Sequence, residues 1–284
     1  MAVLSVDLAY RRWSDLGVVV LSHAPSPLPS PPITCEILPF DPPGFDAAHD
    51  RGPRGQVLVC GADDQRAASA EIDPEILAGR LNHLCAVRDI RILVLDGPQA
   101  WKSGDNGLQH ARVSERQLNT AAKTGLPGMV KPVTYRSFAE FCMDVYDALC
   151  RRGWRRLATR PQPATADAAV APLERVLVES YPHAAWQSLG LKALPAKRRA
   201  RVSDLAEAYG ALRGVVPFTT NRPPNHDQLQ AIVAGLAGLA LEEHNPSAIR
   251  IVGNPPRREQ GHWREGFIVL PLPPRIASSV RWLP

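Results

Sequence analysis

The sequence predicts an α/β fold, with a mixed sheet covered by helices. Three observations carry that expectation. Short apolar runs recur at Val3–Ala9, Ile90–Asp96 and Glu174–Glu179, each too short for a helix and apolar on both sides. A helical stretch, Asp73 to Val87, leads directly into the second of these runs, as in a strand–helix–strand unit. Leu16–Ser22 follows the first run so closely that the two should pair as an antiparallel hairpin.

In chain order, VLSVDLA opens the sheet, and Asp7 is a carboxylate set inside an apolar strand. Such a group is costly to bury unless it is paired, hydrogen-bonded or metal-bound. YRRWSD (10–15) reads as a turn, LGVVVLS (16–22) as the returning strand and APSPLPSPP (24–32) as a proline-rich connector. ITCEIL (33–38) suits a third strand; residues 41–55 read as a loop, and QVLVC (56–60) as a further, edge strand. Asp73-Pro74 is a strong helix start, with Asp as N-cap and Pro in the first turn. Ile76, Leu77, Leu81 and Leu84 mark its expected inner face.

IRILVLD (90–96) is the cleanest buried strand, and again it ends on an acid, Asp96. SFAEFCMDVYDALCR (137–151) is a helix with Phe138, Phe141, Val145 and Leu149 on one side; Arg160–Pro172 is a low-complexity surface tract. ERVLVE (174–179) is a third buried strand ending on a carboxylate, Glu179. Beyond it, His183–Leu189, Ala196–Leu212 and Asn225–Glu243 read as helices, and Ile249–Val252 and Gly266–Leu270 as closing strands. Residues 1–284 are expected to form one domain, with 97–172 an inserted helical and loop segment after the fourth core strand.

Composition excludes several classes. At 45% hydrophobic residues, the 284-residue chain can bury a core and is not a disordered polyampholyte. No stretch approaches the roughly 20 apolar residues of a membrane span, and no secretory leader is evident. The five cysteines are scattered without zinc or disulfide spacing, which fits reduced thiols in a cytoplasmic protein. A net charge of +5 is compatible with a polyanionic partner.

Asp7, Asp96 and Glu179 thus sit at the ends of three apolar strands, and Asp227 lies in the first turn of the last long helix. Ligands in open α/β sheets bind at strand ends. Carboxylates gathered there repel one another unless a cation neutralises them, and oxygen-only ligands favour Mg²⁺ or Mn²⁺. The chemistry such a cluster suits is phosphodiester hydrolysis. Taken singly, each acid has an ordinary explanation: a turn former at Asp96, a helix cap at Glu179, a dipole partner at Asp227. Asp227, Ala231, Ala234 and Gly238 share a small-residue stripe; if that stripe faces the sheet, Asp227 points at the strand ends.

These residues resemble a known family. The strand bearing Asp7, then VLDGP, VESYPHAAWQSLG and HDQLQAIVAGLAGL look like a domain-of-unknown-function family (number 429) described as predicted ribonuclease H-like nucleases. The resemblance spans nearly the whole chain. It implies a ribonuclease H-like mixed sheet with a central antiparallel hairpin, a catalytic and metal-binding set of Asp7, Asp96, Glu179 and Asp227, and a nucleic-acid partner. In that pattern, shared with Holliday-junction resolvases, a second helix acid stands where this chain has Gln230, so weaker metal binding is expected here. Lys197, Arg198 and Arg201 form a basic cluster expected to contact phosphates; Arg151, Arg152, Arg155 and Arg156 around Trp154 read as a solvated helix end. Two other classes compete: a non-catalytic binding module on the same fold, and a phosphotransferase of the actin and sugar-kinase type. The turn after Asp7 lacks the glycines a phosphate cradle needs, which disfavours the latter.

Overall fold

The architecture is that of a computed structural model, which describes residues 1–24, 32–41, 71–160 and 174–274. In chain order the elements are β1 (Ala2–Asp7), β2 (Gly17–His23), β3 (Ile33–Ile37), α1 (Pro74–Val87) and β4 (Ile92–Asp96). The segment after β4 carries α2 (Val113–Leu118), the short pair β5 (Lys123–Thr124) and β6 (Val130–Lys131), and α3 (Arg136–Arg151). Then follow β7 (Arg155–Arg156), β8 (Val176–Ser180), α4 (Pro182–Ser188), α5 (Val202–Val215), β9 (Phe218–Thr220) and α6 (His226–Glu242). β10 (Ile249–Val252), the hairpin of β11 (Arg257–Glu259) and β12 (His262–Arg264), and β13 (Ile268–Pro271) close the chain.

The main sheet runs β10-β13-β8-β4-β1-β2-β3-β9, with β7 alongside the start of β8. β1, β2 and β3 pair antiparallel in sequence, whereas β1–β4 and β4–β8 pair parallel. This is the mixed, helix-flanked sheet with a central hairpin that the sequence predicts. Side chains alternate between two buried layers. Val3, Ile92, Val94 and Val178 face α6, together with α4 and α5. Leu4, Val6, Leu93, Leu95 and Leu177 face α1 and α3.

α6 explains its own placement. It is buried along nearly its whole length, and its small residues press on the strands. A Cβ added at Gly235 would come within 2.4 Å of Leu21 Cδ1, and one at Gly238 within 2.4 Å of Val94 Cγ2. The small stripe therefore faces the sheet.

Several sequence-based boundaries shift. On α1 the buried residues are Leu77, Ala78, Leu81 and Cys85, while Ile76 is 47% exposed. The stripe turns by one residue because α3 packs along the Ala78–Cys85 side. α5 starts at Val202, not Ala196: Lys197–Arg199 form a turn, and the Arg201 N–H donates to Asp204 Oδ2 at 2.8 Å, capping the helix there. A helix start also disfavours the cations of that turn. The short strands β7, β9, β11 and β12 lack any apolar alternation that would announce them. The proposed strand at 56–60, most of the connector 24–32 and most of the tract 160–172 lie outside the described residues. Among the described residues, no helix is long and apolar enough to cross a membrane.

Candidate carboxylate site at the sheet end

The β1–β4 pairing is parallel, so Asp7 and Asp96 emerge side by side at the same end of the sheet. Each lies two residues beyond a side chain facing α6 (Ser5 and Val94), so both carboxylates point to the α6 face. The first turn of α6 meets them there. Asn225 caps that helix reciprocally: its side chain accepts from the Gln228 N–H at 3.0 Å, and Gln228 Oε1 accepts from the Asn225 N–H at 2.9 Å. Asp227, 5% exposed, follows the cap. Gly17, the hairpin partner of Asp7, lets the helix approach this closely. A Cβ at Gly17 would stand 2.2 Å from the Asp227 carbonyl oxygen, so any other residue would push α6 off the hairpin.

The electrostatics register the crowding. Burial first, then the negative charges of Asp96 and Asp227, hold the Asp7 carboxyl well above the usual carboxylate range, with Lys197 opposing. The carboxyls of Asp7 and Asp96 are close enough that a proton held between them would bond one to the other. Burial pushes Asp96 up to about 7; the bond to Asp7 counteracts this and the charge of Glu179 adds to it. One proton shared between two adjacent carboxyls is the arrangement such a pair adopts without a cation.

Glu179 takes a different place. It reaches the same sheet end, but it pairs in register with Leu95, while Asp96 pairs with Ser180. With a period of two, that offset turns Glu179 to the opposite face from Asp7 and Asp96. There Arg112 grips it from two sides, Nη1 to Oε2 at 2.7 Å and Nη2 to Oε1 at 2.6 Å. The Gln99 N–H adds 3.1 Å to Oε2, and Arg112 Nε also bonds Glu115 at 3.0 Å. Glu179, expected to join Asp7 and Asp96 around one cation, is thus held by this guanidinium on its own face of the sheet, while its charge still reaches Asp96.

The other expected site residues divide. Lys197 Nζ bonds both Asp227 Oδ2 and Asp15 Oδ1, the latter at 2.7 Å, so it sits at the carboxylates rather than at the surface cluster. Burial alone would lower its ammonium, but the hydrogen bonds it donates to Asp15 and Asp227 hold it above its ordinary value. Arg198 and Arg201 are exposed beside it. Asp227 Oδ1 also faces His226 Nδ1 at 3.2 Å. Gln230 is directed elsewhere, its Oε1 accepting from Trp186 Nε1 at 2.8 Å. The cluster around Trp154 is structural: Trp154 is 2% exposed, and Arg151, Arg152, Arg155 and Arg156 pair with Glu75, Glu174 and Asp147.

As the side chains stand, among the described residues no three of His, Cys, Asp or Glu are gathered to hold a metal ion. The donor chemistry nonetheless fits a hard divalent cation. Asp7 and Asp96 form the close pair, and Asp227 beside them is held by Lys197. Arg112 stands in the sequence only as one of the polar groups of residues 97–128, with Glu115 and Arg116; its spacing of three from Glu115, at a helix start, is the local signal of its pairing there.

Sheet and site together define an α/β protein with a mixed, helix-flanked sheet and carboxylates crowded at the ends of its two central parallel strands. No protein-family model matches the chain, and no curated protein matches it. Among solved structures, Thermus thermophilus RuvC is similar at 10% identity, covering 86% of this chain and 98% of that one, with a TM-score of 0.34. T. thermophilus RuvC in complex with a Holliday junction substrate is similar over the same shares, at 10% identity and a TM-score of 0.33.

Proposed function

We propose that this chain is a divalent-metal-dependent nuclease, hydrolysing phosphodiester bonds, with Asp7, Asp96 and Asp227 as its catalytic carboxylates. The observation that carries the reading is the Asp7–Asp96 pair at the ends of β1 and β4, with Asp227 of α6 near enough for its charge to raise the Asp7 carboxyl. Three mutually repelling carboxylates cost stability unless a cation makes use of them. Oxygen donors alone suit Mg²⁺ or Mn²⁺. When bound, such an ion supplies an activated water and neutralises charge on the phosphoryl oxygens.

The protein's own groups set the conditions for that chemistry. Asp7 and Asp96 would hold the ion as carboxylates, after losing any proton held between them. Lys197 bridges Asp227 and Asp15, and turning it toward a backbone phosphate would free Asp227 Oδ2 as a third ligand. Arg198 on the same turn and Arg201 at the start of α5, both exposed, are placed to contact further phosphates. Glu179 in this reading is a positioning residue: through Arg112 it fastens the start of α2 to the end of β8. The expectation of membership in the family of predicted ribonuclease H-like nucleases is kept as part of this proposal.

The non-catalytic alternative has one observation in its favour, the Lys197 ammonium already seated on Asp227. A cleavage assay separates the two. End-labelled single-stranded, duplex and branched nucleic acids are incubated with Mn²⁺ and with wild type or Asp7→Asn. The nuclease reading expects cleavage of at least one substrate by wild type and a loss of 100-fold or more in the variant. Retention of a nucleic acid in gel shifts, with no cleavage by either protein, would support the binding module.

A further inference from the structure

A cavity of about 240 Å³ opens beside Asp96, between the ends of β4 and β8 and the segment that follows β4. Its charge is unusual for a nucleic-acid site. Three carboxylates line it (Asp96, Glu115 and Glu179) against one guanidinium, Arg112, whose nitrogens are already spent on Glu115 and Glu179. A phosphate would be repelled here. The rest of the wall is neutral and includes three aromatic residues, Tyr135, Phe138 and Tyr181. Ser180, 1% exposed, lines the cavity and has an Oγ with no hydrogen-bond partner among the described residues. The volume lies below the roughly 300 Å³ at which pockets for whole ligands begin, so it admits one ring system rather than a nucleotide pair.

We infer that this cavity receives a single unpaired nucleobase from the strand whose phosphodiester lies at Asp7 and Asp96. The inference rests on the nuclease reading and deepens it: the substrate presents an unstacked base next to the scissile bond, as a single strand, a branch point or a locally opened duplex does. The chemistry matches on each count. A base is uncharged, so the acidic wall does not repel it, and its ring and amino N–H groups are donors for carboxylate oxygens. Its flat face stacks on tyrosine and phenylalanine rings, which tolerate any of the bases. Asp96 belongs both to the carboxylate pair and to the cavity wall, which places base and phosphodiester at adjoining positions.

The test uses the full chain with Ca²⁺ in place of the catalytic ion, and measures affinity by fluorescence anisotropy. The probes are two single-stranded oligonucleotides of equal length and charge, one carrying bases and one wholly abasic. Two variants perturb the cavity at exposed positions: Ala121→Trp fills it from the rim, and Tyr135→Ala removes a ring. Wild type is expected to bind the base-bearing strand roughly tenfold more tightly or better, the worth of one stacked base. Both variants should lose most of that difference while binding the abasic strand as wild type does. Equal binding of the two strands by wild type, or a difference that survives both variants, overturns the inference and leaves the nuclease reading standing. Failure to bind either strand overturns both.

Discussion

Asp96 and Glu179 end neighbouring parallel strands, both are closely surrounded by protein, and their surroundings could hardly differ more. Asp96 faces another carboxyl, and burial holds its own near 7. Glu179 faces a guanidinium that contacts both of its oxygens. Burial raises Glu179 too, but there Arg112 opposes the shift directly. A carboxylate at a strand end thus has no role by position alone. The one-residue difference in register chooses the face, and the face chooses the partner: repulsion that invites a cation, or an ion pair that fixes a loop.

That contrast is broken most severely at Arg112. Replacing it with Met removes the guanidinium that pairs with Glu179 and leaves a buried charge uncompensated, so a loss of about 3–5 kcal/mol in unfolding free energy is expected by urea denaturation. An Arg112→Met protein as stable as wild type would show that the ion pair contributes nothing net.

Asp96→Asn should act in the opposite direction. In the folded chain this carboxyl titrates near 7, against 3.8 in the unfolded state. Between those values the folded state holds a proton that the unfolded state has released, so stability falls as pH rises through this window and levels off above it. A single proton gives a slope approaching about 1.4 kcal/mol per pH unit. The variant should therefore be more stable than wild type at pH 8, little different near pH 4, and flatter between. Parallel stability curves for the two proteins would remove Asp96 as the source.

The smallest effect is expected at Lys197. It is half exposed, so its pair with Asp227 is worth roughly 0.2–1 kcal/mol, and Lys197→Met should change stability by no more than that. Because an ammonium beside the carboxylates opposes a second cation, the same change should tighten Mn²⁺ binding a few-fold in the absence of substrate. Weaker Mn²⁺ binding would mean that Lys197 organises the site instead of competing for it.

The sequence made the fold legible where the apolar pattern was continuous. α1, with Asp73 accepting from the N–H groups of Glu75 and Ile76, and the strands around Leu4, Leu93 and Val178 fall where their residues place them. It failed where structure depends on distant partners. β9 exists because it lies parallel to β3, and Arg155–Arg156 form a strand only because β8 is adjacent. The site divides along the same line. Asp7, Asp96 and Asp227 could be read as strand-end and helix-start acids, because the small stripe of α6 dictated which way it packs. The fate of Glu179 could not be read, since register between β4 and β8 is a pairing property. Nor could that of Arg112, 67 residues away in the chain from Glu179. Gln230 is similar: its bond to Trp186 crosses from α6 to α4 and leaves no local trace.

Calorimetric titration of Mn²⁺ into wild type and Asp7→Asn, at pH 8 where the shared proton is most easily lost, tests the central claim most directly. The account predicts a saturable heat for wild type at millimolar Mn²⁺ or below. It also predicts loss of that heat in Asp7→Asn, whose cooperative unfolding should be retained because relieving repulsion between buried carboxyls does not destabilise the fold. Equal Mn²⁺ binding by the two proteins, or none by wild type, would contradict it.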